Sequence, residues 1–163
     1  MRYVAIFLFG ILGIFGCKQN PVDAVYYGTW INTYTEDYSY ETQDTTFILE
    51  EEWIDKKWSQ PPIILLEKGS RYTQLVRDRN GRQVERIQGK WSTRNNNDLT
   101  IQTDDFLFSG SIVLLNEVLT IKGHQYPLDR YKRSVQAEGI KRQLVYRQAT
   151  QEERDVRKSK NLY

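Results

Sequence analysis

Apolar and β-branched residues recur along this chain in short runs set apart by turn-forming residues, and almost nowhere at the three-and-four spacing of an amphipathic helix. Residues 47–54, 63–66, 71–77, 99–101, 106–108, 111–115, 118–121 and 143–147 each read as strands, and Tyr26 to Trp30 reads as the start of the first. Punctuation fills the gaps. Pro61-Pro62 cannot donate to a sheet ladder, so pairing has to pause there. Turns are expected at Lys68-Gly69-Ser70, at residues 95–98, at residues 103–105 and at Asn116-Glu117. Residues 35–46, polar but rich in tyrosine, read as a long loop or the flank of an edge strand.

The sharpest local signal is Asn80-Gly81, the pair that best accepts positive φ at both centres of a type I′ turn. A two-residue loop pairs Arg79 with Arg82 and Val76 with Glu85. Tyr72, Gln74, Val76, Glu85, Ile87, Gly89 and Trp91 then share the core face, while Leu75 and Val84 face outward. A slip by one residue would exchange every side chain between core and solvent. Tyr72, Val76, Glu85, Ile87 and Trp91 are therefore the expected core and possible cavity lining. Glu85, aimed inward near the loop, is placed at a barrel mouth, where it hydrogen-bonds a ligand or reaches water. Eight or nine short strands with turns between neighbours predict an all-β fold, an antiparallel meander barrel of about eight strands, because closure removes exposed edges. Residues 149–163 are highly charged and are expected as a short surface helix or frayed tail.

The N-terminus has a different pattern. After Arg2, residues 3–16 carry no charge, yet the run falls short of the roughly 20 apolar residues a membrane-crossing helix needs. It has the form of a signal-peptide core. Ile14-Phe15-Gly16-Cys17 resembles the lipobox of bacterial lipoproteins, with Phe15 bulkier than the usual occupant. The resemblance implies cleavage before Cys17 and attachment to a membrane through lipid on that cysteine. Cys17 is the only cysteine, so no disulfide partner competes for it. Lys18 stands where aspartate would signal inner-membrane retention, which points to the outer membrane, facing the periplasm rather than the surface. The resulting organisation is a lipoprotein signal peptide (1–16), a lipidated tether (17–25), a barrel domain (26–148) and a charged tail (149–163).

Composition narrows the chemistry. Eleven tyrosines and four tryptophans agree with strands. A formal net charge of +2 gives no field for a polyanion, so nucleic-acid binding is unsupported. His124 is the only histidine, no Gly-x-Ser-x-Gly elbow is present, and cysteine–histidine zinc sites lack ligands. Asp104-Asp105 reads as a turn. Glu50-Glu51-Glu52 reads as a solvated edge, because neighbours in a strand point to opposite faces. No catalytic set, metal or cofactor is implied.

Gly28-Thr29-Trp30 resembles the Gly-x-Trp signature of lipocalins. The Gly69 turn before Tyr72, the second Gly89-Lys90-Trp91 and the short strands that follow resemble small lipocalin-like domains of bacterial lipoproteins, over about residues 26–148. That resemblance implies that Gly28 and Trp30 close the barrel floor and that Arg147, or alternatively Arg142, stacks across the indole. Such a barrel is just wide enough to fill with side chains or to hold one ligand. Two roles follow. One is a non-enzymatic, membrane-anchored barrel that binds a small apolar or amphipathic ligand or serves the envelope structurally. The alternative is an interaction module, an envelope complex subunit or inhibitor, docking on a protein partner through Tyr38, Tyr40, Trp53 and Trp58.

Overall fold

Alternation of inward and outward side chains draws nine strands into one sheet: β1 (Gly28–Ser39), β2 (Thr45–Leu49), β3 (Ser59–Glu67), β4 (Arg71–Asp78), β5 (Gln83–Arg94), β6 (Asp98–Thr103), β7 (Phe106–Leu115), β8 (Val118–Pro127) and β9 (Ile140–Gln148). The computed structural model describes residues 21–57, 59–95, 97–129, 131, 133 and 139–154. All pairs are antiparallel, and β9 returns to pair with β1, closing the sheet. β2 and β3 share one side of β1. β3 takes residues 28–31 of β1 and β2 takes residues 34–38, so the ring is an eight-stranded meander barrel with β2 as an extra strand.

Trp30, Ile64, Leu66, Tyr72, Trp91, Leu99, Phe108, Ile112, Leu119, Ile121 and Tyr146 fill the interior as one cluster. A smaller cluster lies on the outer surface, where Ile31, Ile63 and Ala149 are covered together with the half-buried Leu75. Leu75 thus faces out of the barrel without facing water. The Ala149 N–H donates to the Thr29 carbonyl at 2.9 Å, and one helical turn follows over residues 151–154.

Residues 47–54 do not form one strand. β2 ends at Leu49, a 3-10 turn covers Glu50–Glu52, and helix α1 (Trp53–Lys57) follows. Three successive glutamates offer no apolar residue to the core. Instead the Glu52 carboxylate accepts a hydrogen bond from the Leu49 N–H at 3.0 Å and pairs with Lys56 at 2.9 Å, local contacts that favour a helical turn. Pro61-Pro62 falls inside β3, and the register between β3 and β4 shifts between Gln60 and Ile63, where pairing was expected to pause. The first element among the described residues is a 3-10 helix over Pro21–Tyr26, which overlaps the segment read as tether. Cys17 lies outside the described residues.

The β4–β5 turn is not type I′. Only Gly81 has positive φ, at 80°; its N–H donates to the Asp78 carbonyl, and the Asp78 carboxylate accepts from the N–H groups of Asn80 and Arg82 at 2.9 Å. This is a three-residue loop closed by Asp78 opposite Arg82, replacing the expected Arg79–Arg82 pair. A bulge at Val84 then adds one residue back, so Val76 faces Glu85, Gln74 faces Ile87 and Tyr72 faces Gly89 as the sequence predicts. Type I′ geometry occurs at Asn116-Glu117, with φ of 49° and 65°, between the paired Leu115 and Val118.

Candidate functional site

An antiparallel meander sorts its turns to two ends. Gly28, Gly69-Ser70, Asn95, Asn97, Asn116-Glu117 and Gln148 lie at one end, which the 3-10 helix Pro21–Tyr26 closes as a floor. Trp30 is 2% exposed, and its Nε1 donates to the Tyr26 carbonyl at 3.0 Å. Gly28 makes room for this indole: a Cβ there would lie 3.2 Å from Trp30 Nε1, tighter than ordinary contact. The Thr93 hydroxyl donates to the Asp23 carboxylate, pinning the 3-10 helix to β5. Trp91 donates to the Glu67 carbonyl at 3.3 Å and stands edge-on to Tyr27 at 5.9 Å between ring centres.

The opposite end holds a cavity of about 190 Å³. One buried side of it is apolar, made of Ile64, Ile101, Phe106, Phe108 and Ile121, while Val76, Leu144 and Trp53 line it where exposure increases. Polar groups gather on one side. The Arg142 Nε and Nη2 donate to the Asp37 carboxylate at 2.7 and 2.6 Å, and Nη1 donates to Gln125 Oε1 at 2.8 Å. Burial works against the Arg142 charge, but the hydrogen bonds and charge of Asp37 outweigh it and raise its pKa. Tyr72 donates to Gln74 Oε1 at 2.8 Å. Asn32, almost fully buried, donates to the Tyr34 carbonyl and accepts from the Thr35 hydroxyl. Burial pushes the Tyr72 and Tyr146 phenols well up, with Arg142 pulling the other way, so both remain neutral donors. The Trp53 Nε1 is buried and has no acceptor among the described residues.

The structure divides the expected site residues between the two ends. Tyr72 and Val76 line the cavity; Trp91 is fully buried at the floor, and Ile87 packs half-buried against the core. Glu85 is exposed. β6 pairs with β5 only from Gly89 onward, so the stretch carrying Glu85 has β4 as its sole neighbour and projects beyond the ring. Gly28 and Trp30 sit at the floor as the resemblance implies, but Arg147 does not take the place across the indole. It lies opposite Ile31 on the outer surface, its guanidinium held by Glu50 and Glu153, each at 2.8 Å. Arg142 is inside the barrel but is committed to Asp37 at the open end. The indole is instead covered by the 3-10 helix.

Sequence reading missed Asp37, Gln125 and the mouth role of Arg142. The reason is a bulge on β1: the register with β9 shifts between Asn32 and Tyr34. Counting alternately from Trp30 would send Asp37 outward, whereas the bulge turns Thr35 and Asp37 inward. No local sequence signal marks it. His124 lies on the outer surface, its Nε2 3.1 Å from the Tyr40 hydroxyl and its ring stacked between Tyr40 and Tyr126. Tyr38 meets Tyr40 edge-on at 5.0 Å, extending this aromatic row, while Trp53 is folded toward the cavity and Trp58 lies outside the described residues. Among the described residues, no three His, Cys, Asp or Glu side chains converge as metal ligands would. Comparison with protein families, with curated proteins and with solved structures found no match to this chain.

Proposed function

We propose that this is a lipid-anchored, lipocalin-like barrel of the bacterial envelope that holds a small amphipathic molecule in its open end. The observation that carries this reading is the cavity itself, apolar on its buried wall and polar on the side of Arg142, Gln125 and Asn32. Its volume of about 190 Å³ is below the roughly 300–1,000 Å³ of pockets for drug-sized ligands, so a small molecule, or the end of a chain, is the fitting guest. Asp37 already neutralises Arg142, and an anion would have to compete with that carboxylate. An uncharged polar head suits the site better. The lipobox-like segment ending in Cys17 supplies the anchor, and Lys18 favours the outer membrane with the barrel in the periplasm.

Native mass spectrometry of the detergent-extracted full-length protein tests the reading. A retained small molecule that disappears in Val76→Trp, which narrows the mouth, supports it. A barrel that carries no small molecule and co-purifies with a polypeptide sinks it in favour of an interaction module. The mostly half-buried aromatic row Tyr38–Tyr40–His124–Tyr126 on the outer surface is the feature that favours this second reading.

A further inference from the structure

The end of the barrel that the 3-10 helix closes also carries aliphatic side chains that stand exposed. Leu115 and Val118 face each other across the Asn116-Glu117 turn on the outer side of the β7–β8 hairpin and are 68% and 41% exposed. Val113, two residues along the same face, is 44% exposed, and Val25 on the 3-10 helix is 56% exposed. Cross-strand neighbours on one face lie close together, so the three hairpin residues form a continuous aliphatic strip. Charges around this end are mixed, with Lys68, Arg71 and Arg94 set against Asp98 and Glu117. The strip therefore depends on apolar contact rather than on a net field.

The chain enters the barrel at this same end. Only Lys18, Gln19 and Asn20 separate Cys17 from Pro21, a reach of at most roughly 14 Å even when fully extended. Acyl chains on Cys17 would hold the floor within that distance of the lipid surface. Contacts too weak to bind a bilayer unaided become effective under such a tether, because the second contact is intramolecular. Removing exposed aliphatic surface from water then favours one orientation.

We propose that the closed end of the barrel, through Val25, Val113, Leu115 and Val118, rests on the lipid surface and turns the cavity mouth toward the aqueous side. A ligand would then enter from water rather than directly from the bilayer. This inference rests on the lipidation of Cys17 proposed above.

Acylated Cys17 leaves no free thiol, so Leu115→Cys and Val84→Cys each introduce a single labelling site, the first at the floor and the second at the β4–β5 tip near the mouth. Each full-length protein is purified in detergent, labelled with bimane and reconstituted in phosphatidylethanolamine–phosphatidylglycerol vesicles with brominated acyl chains. The expected result is a blue shift and strong quenching of the label at position 115, with the label at position 84 unchanged. Equal emission from both positions, in protein that floats with the vesicles and carries the acyl mass, overturns the orientation alone. Protein that lacks the acyl mass and does not float overturns the anchor and the orientation together.

Discussion

Arg142 on β9 grips Asp37 on β1 through two hydrogen bonds, and its third nitrogen holds Gln125 on β8. The pair joins three adjacent strands at the open end and gives the cavity its polar side. It exists because the bulge between Asn32 and Tyr34 turns Asp37 inward, onto the face that Arg142 already occupies on β9.

Removing both partners should cost less than the two single removals added together. Breaking a fully buried ion pair costs about 3–5 kcal/mol, and because these side chains keep 24% and 23% of their exposure, Asp37→Ala is expected to lose about 2–3 kcal/mol. Asp37→Ala combined with Arg142→Ala should lose less than the sum of the single changes. Arg142→Lys should not restore stability, since a lysine cannot make the two-pronged contact. Urea denaturation midpoints at constant slope measure all four proteins.

The floor makes a separate prediction. Trp30→Phe keeps most of the apolar bulk but loses the hydrogen bond to the Tyr26 carbonyl, at an expected cost of about 0.5–1.5 kcal/mol. Trp30→Ala should cost about 3–5 kcal/mol through the void it leaves. Gly28→Ala should displace the indole, seen as a red shift and increased quenching of tryptophan emission. Thermal unfolding of the three variants checks the order.

Acid should weaken the clasp between the C-terminal turn and the barrel. Hydrogen bonds from Arg147 pull the Glu153 carboxyl down from an ordinary 4.5 to about 2, against the opposing effect of partial burial. A depressed carboxylate stabilises the fold above its unfolded pKa, and that contribution is lost as pH falls from about 4.5 through about 2. The side chains are each 36% exposed, so at most about 1 kcal/mol is at stake. In urea titrations across this window, Glu153→Gln should show a shallower fall in stability than the unmodified protein; parallel curves would count against the clasp.

Alkali acts at the other end. Burial raises the Tyr72 and Tyr146 phenols above the ordinary 10.0, so their stabilising effect is complete below that pH and is lost as pH rises through the raised values. Phenolate absorbance should show a fraction of the tyrosines, Tyr72 and Tyr146 among them, that resists ionisation until the barrel unfolds. Tyr146→Phe should remove one tyrosine from that late fraction.

Most strands, most turns and the inward face of the β4–β5 hairpin were legible in the sequence, because alternation and turn chemistry act over a few residues; the strand read over residues 47–54 was not, since three glutamates turn the chain into a helix there. It was legible enough to pair Val76 with Glu85, although the loop and the Val84 bulge reached that register by a different route. A floor at Gly28 and Trp30 was implied by the lipocalin resemblance, and the structure adds that the missing Cβ at Gly28 makes room for the indole. Tertiary structure alone decided which arginine serves which end. Arg147 faces outward to Glu50 and Glu153, and Arg142 faces inward to Asp37, partners 97 and 105 residues away for Glu50 and Asp37. It also decided that Glu85 stands in water, because β6 ends before reaching it, and that a cavity remains among Phe108, Ile121 and Tyr146. Such outcomes depend on the shift at β1 and on how far each strand extends beside its neighbour. Those are properties of the closed sheet, and no short window of residues encodes them.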